Sequence, residues 1–268
     1  MKSPVASAAI QFAASLPPGI RHYAIGDIHG RPDLLASLFD TIQQDDAKRE
    51  QARTTIVFLG DYVDRGPDSK GVVDWLTGTR QARNLLRRDR SSAAAAPFSF
   101  LFLMGNHEHL LLSFLENPAK GHFWLMNGGS ETLLSYGLDA AQIRRAMLGG
   151  QETITGLAMA FRERLPAAHL EFFRALEPFY RAGDYFFAHA GVNPDLPLAR
   201  QREDDLLWIR GKFLKWPGRF GAVVVHGHTP AHEPDDLPNR IGIDTYAFES
   251  NKLTAVGLEG SGRWFLST

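Results

Sequence analysis

The stretch Thr54–Gly66, TTIVFLGDYVDRG, decides how this chain folds. Its first half is a short apolar, β-branched run, the pattern of a buried strand. Gly60 breaks the run, and a dense polar turn follows, Asp61-Tyr62-Val63-Asp64-Arg65-Gly66. A helical pattern then starts at Ser69 and carries Val72, Val73, Trp75 and Leu76. The same order of strand, polar turn and helix recurs on both sides. His22–Gly26 (HYAIG) leads into Asp27-Ile28-His29-Gly30, then a helix from about Pro32 to Gln44 with Leu34, Leu35, Leu38, Phe39 and Ile42 on one face. Phe98–Met104 (FSFLFLM) leads into Gly105-Asn106-His107-Glu108, then a helix with Leu110–Leu112 and Phe114. Three such units predict βαβ connections on a largely parallel sheet.

From residue 117 to about 176 the pattern is mostly helical, punctuated by Asn127-Gly128-Gly129, Gly149-Gly150 and Pro166, and reads as a helical insertion between core strands. Strands return at Asp184–His189, Gly221–His226 and Arg240–Ile243, with a hairpin around Glu259-Gly260-Ser261-Gly262. The expected fold class is α/β (α+β), a β-sandwich of mixed sheets flanked by helices. It forms one domain over residues 1–268, with residues 1–19 as an N-terminal arm. That Ala-rich arm has the look of an export signal, but Ser3, Pro4, Ser7 and Gln11 interrupt its apolar stretch. Ser91–Pro97 is expected to be an exposed loop, and the five arginines of Arg80–Arg90 a solvated helix end.

Composition narrows the chemistry. With no cysteine, disulfides, thiolate catalysis and Cys-based zinc sites are excluded, leaving histidine and carboxylate as the strong metal ligands. Lysine plus arginine (29) nearly cancels aspartate plus glutamate (30), so no strong field draws the chain onto nucleic acid or anionic lipid. No apolar run approaches the ~18 residues that span a bilayer. A cytoplasmic, reducing location fits these features, with neither nucleic acid nor membrane as partner.

Polar clusters at the carboxyl ends of strands are where ligands gather in α/β sheets. Asp27 and His29, two apart in an extended segment, point to one face and suit a divalent ion such as Mn²⁺, Fe²⁺ or Zn²⁺. Asp61 has two carboxylate oxygens able to bridge a pair of ions, and Asn106 offers a neutral carbonyl oxygen. His189 and His228 both follow apolar runs, again at strand ends. Taken singly, each has a plain explanation. A Gly-Asp after a strand is commonly a turn, a lone histidine beside an apolar run is commonly structural, and Asp64 with Arg65 could be a surface ion pair. Five clusters at strand ends with complementary ligand types leave little room for coincidence.

With these residues in view, the sequence resembles the calcineurin-like metallophosphoesterases, and within them the bacterial PPP-type serine/threonine protein phosphatases. The blocks GDxHG, GDxVDRG, GNHE, His-Ala-Gly and GHTP occur in order from Gly26 to Pro230, and Trp124–Gly129 and Leu206–Arg210 look like the bacterial subgroup too. The resemblance implies two divalent ions, manganese first with iron or zinc as alternatives. Asp27 and His29 would hold one, Asp61 would bridge, and Asn106, His189 and His228 would complete the other. His107 would protonate the leaving group, tuned by Asp64, while Arg65 and Arg210 would clamp the phosphoryl oxygens. Glu108 and His226 are candidates for supporting positions, with His226 also considered as a ligand. Where the subgroup usually reads Asp-Thr-Gly-Ala, this chain has Asp244-Thr245-Tyr246-Ala247; Tyr246 either lines the substrate cleft or fills a loop. The expected activity is hydrolysis of phosphoserine or phosphothreonine, with phosphotyrosine a further candidate, in a phosphoprotein or phosphopeptide. The main alternative is a symmetrical dinucleoside tetraphosphate hydrolase. Asp64 and the Glu108 of GNHE favour the protein phosphatase, because the alternative group commonly has an uncharged residue and an aspartate there.

Overall fold

The structure, a computed structural model, describes residues 14–78 and 98–268. The arginine-rich run at 80–90, the loop expected at 91–97 and the part of the expected arm before Ala14 lie outside the described residues. The three expected units are present. Strand β1 (Ile20–Ile25) is followed by helix α1 (Pro32–Ala47), β2 (Arg53–Phe58) by α2 (Ser69–Gly78), and β3 (Phe98–Phe102) by α3 (Asn106–Glu116). β1, β2 and β3 pair in parallel, with Ala24 opposite Val57 and Val57 opposite Leu101. Proline at the first turn of α1 has no N–H to waste there. The helix then buries Leu34, Leu35, Leu38 and Ile42 at helical spacing and runs one turn further than its apolar stripe suggests.

A second sheet lies behind the first. β4 (Phe179–Ala182), β5 (Tyr185–Ala188), β6 (Val223–His226), β7 (Asp235–Asp236) and β8 (Arg240–Gly242) assemble in the order β4-β5-β6-β8-β7. Its three central strands are parallel and its two edges antiparallel. The C-terminal hairpin, β9 (Thr254–Glu259) and β10 (Gly262–Ser267), returns to the first sheet, giving β10-β9-β1-β2-β3.

Period-2 alternation separates the layers. Ala24, Val57, Leu59, Tyr185, Phe187, Val223, Val225, Ile241, Val256 and Leu258 fill the space between the sheets. Their neighbours Tyr23, Ile25, Ile56 and Phe58 face the other way, onto α1, α2 and the insertion. On the outer face of the second sheet, Phe186 and Val224 pack under Leu206 and Phe213. Ala14 and Leu16 of the N-terminal segment join the inter-sheet core, and the backbone N–H of Leu16 donates to Gly260 O at 2.9 Å.

Between α3 and β4 the chain is helical, with its longest pieces α4 (Ala140–Leu148), α5 (Gln151–Arg164) and α6 (Ala167–Arg174). A kink interrupts it at Asn127-Gly128, where Gly128 has φ 101°. A Cβ there would lie 2.7 Å from the backbone N of Arg65. Glycine therefore lets the insertion close onto the Arg65 turn, and Arg65 N–H donates to Gly128 O at 3.2 Å. Among the described residues no helix is long and apolar enough to cross a membrane.

Candidate metal centre

Five strand ends converge because β1, β2 and β3 are parallel in one sheet and β5 and β6 in the other. Asp27 and His29 follow β1, Asp61 follows β2, Asn106 and His107 open α3 after β3, His189 follows β5, and His228 follows β6. Each of these side chains is buried, none more than 5 % exposed. The turns that deliver them are strained. His29, Asp61, Asp64, Arg65 and His228 all have positive φ, between 43° and 72°. Such backbone costs about 1 kcal/mol or more per residue and persists only where the surroundings over-determine it. Gly227 shows how tight the assembly is: a Cβ on it would sit 2.1 Å from Asp27 Oδ1.

Asp61 stands in the middle. Its Oδ1 lies 3.4 Å from His189 Nε2, and its Oδ2 lies 3.5 Å from His29 Nε2 and 3.8 Å from His107 Nε2. Two groups of donors share it, His29–Asp61–His107 and Asp61–His189–His228, each with its ligand atoms within 4.8 Å of one another. Asn106 Oδ1 extends the second group, 2.8 Å from both His189 Nε2 and His228 Nδ1.

The tautomers follow from the hydrogen bonds. His29 Nδ1 is 2.8 Å from Val63 O, and His189 Nδ1 is 2.9 Å from Leu59 O. A carbonyl only accepts, so each Nδ1 carries the proton and each Nε2 turns a lone pair inward. Burial, reinforced by His107, pulls the His29 pKa down to about 3. Burial, reinforced by His189, pulls His228 down to about 2, and burial lowers His189 as well. These imidazoles are therefore neutral bases. The His189 lone pair then faces the oxygen of Asn106 with no proton to share, an arrangement that a cation between them turns from repulsive to favourable. Imidazole nitrogens, carboxylate oxygens and an amide oxygen form a donor set that suits borderline divalent ions.

Asp27 receives the backbone N–H of His228 on both oxygens, at 3.2 and 3.1 Å. Its pKa is nevertheless pushed well above the usual range by burial and by Asp244 and Asp61. Asp244 is a buried member of the cluster that sequence reasoning passed over, having attended only to its neighbour Tyr246. Burial, with Asp61 nearby, pushes it up to about 6. Three buried carboxylates crowded together leave negative charge that a metal would neutralise.

His107 is held differently. Its Nδ1 lies 2.7 Å from Asp64 Oδ2, which also accepts from Trp124 Nε1 at 2.8 Å. Thr132 Oγ1 donates to the other Asp64 oxygen at 2.6 Å. Burial pulls the His107 pKa down, but Asp61 and Asp64 outweigh it and raise the value. Trp124 and Thr132 were not among the expected site residues; Trp124 drew notice only as part of a block. Glu108 accepts four backbone N–H bonds, from Gly105, Asp61, Tyr62 and Val63, and so fixes the turn that presents Asp61. His226 points elsewhere, with its ring edge-on to Phe213 and Nδ1 at Gly227 O, and it is in neither donor group.

Two guanidiniums reach over the centre. Arg65 NH1 lies 3.2 Å from His29 Nε2, and Arg210 Nε donates to His228 Nε2 at 3.0 Å. Both line an open groove of about 830 Å³ together with Met126, Asn127, Tyr246 and Phe248.

The chain is 27% identical over 249 residues to the asymmetrical bis(5'-nucleosyl)-tetraphosphatase PrpE of Bacillus subtilis (strain 168), covering 86% of this chain and 87% of the relative. It is 26% identical over 250 residues to serine/threonine-protein phosphatase 1 of Salmonella typhimurium (strain LT2), covering 89% and 93%. Among solved structures, that of a candidate diadenosine tetraphosphatase superposes with a TM-score of 0.59 at 20% identity, over 96% of this chain and 98% of the other. Residues 20–257 match the calcineurin-like phosphoesterase family, and the chain belongs to it.

Proposed function

We propose that this phosphoesterase hydrolyses phosphomonoesters of serine, threonine or tyrosine side chains in proteins and peptides, acting in the cytoplasm. The observation that carries the reading is the buried His107–Asp64 pair facing the shared carboxylate Asp61. An alkoxide leaves phosphorus poorly unless it is protonated as it departs, whereas a nucleotide leaves as a stable phosphate anion. A buried acid whose pKa is raised by Asp61 and Asp64 serves the first reaction more than the second. Asp64 fixes the Nδ1–H tautomer and stabilises the charged ring, which leaves Nε2 to hand its proton to the departing oxygen. Trp124 and Thr132 keep Asp64 in place.

Asp27, His29 and Asp61 would hold one divalent ion, and Asp61, Asn106, His189 and His228 a second, manganese before iron or zinc. When bound, the ions supply Lewis-acid neutralisation of the phosphoryl group and activation of water. Arg65 and Arg210 bind phosphoryl oxygens, for which the planar guanidinium is shaped. Glu108 holds the Asp61 turn rigid, and His226 has a packing role.

A second reading, hydrolysis of a dinucleoside polyphosphate, is favoured by the likeness to PrpE and by the aromatic residues of the groove. The named relative is an asymmetrical enzyme, not the symmetrical type that the sequence suggested. Purified protein with Mn²⁺, assayed side by side on phosphoserine, phosphothreonine and phosphotyrosine peptides and on diadenosine tetraphosphate, separates the two. Much faster turnover of the dinucleotide than of every phosphopeptide overturns the first.

A further inference from the structure

Tyr246 has φ 64° and ψ 43°, the left-handed region that a bulky side chain rarely occupies. Among the described residues, seven non-glycine residues have positive φ. Five are His29, Asp61, Asp64, Arg65 and His228 of the candidate centre. A sixth, Asn251, ends the short helix Ala247–Ser250, a position where asparagine is commonly accommodated. Tyr246 is the seventh, and no metal-ligating or phosphate-binding task explains it.

The backbone around it is over-determined. Tyr246 N–H donates to Asp244 Oδ1 at 3.0 Å, and Tyr246 O accepts from Ser250 N–H at 2.8 Å. Arg31 ties the end of the same helix down through Asn251 Oδ1 at 2.6 Å. The tyrosine ring meets Phe248 edge to face, with centroids 4.7 Å apart. Phe248 in turn stands edge-on to His29 at 5.5 Å, with the Arg65 guanidinium 5.5 Å from its centroid. Both rings are half-buried and line the groove, and the Tyr246 hydroxyl has no hydrogen-bond partner among the described residues. Met126 and Met147 of the helical insertion also line it, with thioethers that adapt to an aromatic guest. An aromatic wall thus begins beside the Arg65 guanidinium and extends into the groove.

We infer that Tyr246, supported by Phe248, is a specificity-determining residue that favours aryl over alkyl phosphomonoesters by packing against a ring bonded directly to the leaving ester oxygen. The inference rests on the phosphomonoesterase reading above. Strain in the loop is retained because it aims the ring at the leaving group.

The test uses Tyr246→Asn, which removes the ring yet tolerates left-handed backbone, and Tyr246→Phe, which keeps the ring and loses the hydroxyl. On metal-loaded protein, Tyr246→Asn should raise KM for phenyl phosphate and for a phosphotyrosine peptide about 3- to 10-fold, the range of an aromatic pair. Its kcat should stay nearly unchanged, and a phosphoserine peptide of the same sequence should shift less than about twofold. Tyr246→Phe should match the wild type. Calorimetry with phenylphosphonate and ethylphosphonate should show the phenyl preference falling by the same factor in Tyr246→Asn. Equal losses on aryl and alkyl ligands, or an unchanged ratio, overturn the inference. If the wild type cleaves only dinucleotides while the phosphonate ratio still falls, the phosphomonoesterase reading fails and the wall stands. If phosphopeptides are cleaved and the ratio holds, the wall fails alone. Melting temperatures no lower than wild type establish that both variants fold.

Discussion

The two ends of β1 bury charge in opposite ways. At its start, Arg21 is 1 % exposed and its donors are matched. Nε and NH2 reach the two oxygens of Glu259 at 3.0 Å each, NH1 reaches Asp46 at 2.7 Å, and NH2 also reaches Glu50 O at 2.7 Å. Just past its end, Asp27 and His29 sit among carboxylates that repel one another, with the His189 lone pair facing Asn106 Oδ1. The first cluster is complete and holds α1 and the C-terminal hairpin to the sheet. The second is a set of donors that a cation would complete, presented on turns with positive φ. Burial of charge therefore says little about function; the state of the hydrogen bonds around it says much.

Breaking each end should have different consequences. The largest effect belongs to Asp61→Asn, which weakens both donor groups at once. Turnover of an aryl phosphate should fall by at least about a thousandfold, and metal analysis should show both ions diminished. A metal stoichiometry equal to wild type would defeat the shared role of Asp61. Next, His107→Asn should cut kcat on phosphoserine peptide by about 10²- to 10⁴-fold with metal content intact. Loss of metal in that variant would make His107 a ligand, as its grouping with His29 and Asp61 permits.

At the other end of the strand, Arg21→Ala should cost about 2–3 kcal/mol in urea unfolding while the folded enzyme keeps its kcat. This is below the 3–5 kcal/mol of a fully buried pair because Asp46 and Glu259 are partly exposed and can reach water once freed. A kcat loss as large as that of His107→Asn would abolish the contrast between the ends.

The smallest effect comes from His22, beside Arg21 and stacked on Tyr180 and Phe187. Burial lowers its pKa to about 4, whereas the unfolded chain takes up the proton near 6.5. The folded pKa is the depressed one, so its contribution is present above pH 6.5 and is lost as pH falls toward 4. At pH 5.5 the loss amounts to about 1 kcal/mol. His22→Phe should flatten the stability profile across that window; an unchanged slope in urea melts between pH 6.5 and 4 would refute the assignment.

Much of the candidate site was legible because its signal is local. An apolar run, a glycine and a polar turn occupy consecutive residues, so Asp27, His29, Asp61, Asn106, His107, His189 and His228 each announced themselves beside their own strand. The missing members come from far along the chain. Trp124 and Thr132 reach Asp64 across 60 and 68 residues, and Asp244 meets Asp27 only when β8 lies beside β6. The edge strands β4 and β7 were missed for a related reason. Four and two residues long, with a charge in the first and only charges in the second, they pair because a neighbour is there and not because of any pattern of their own.

The sequence by itself determined the layers, the strand ends and the donor types gathered there, since periodicity and glycine turns act over a few residues. Only the tertiary structure decided which oxygen of Asp61 faces which histidine, where each imidazole carries its proton, and that Tyr246 is left-handed. Those depend on contacts between segments far apart in the chain, and on a backbone sign that no side-chain identity other than glycine prescribes.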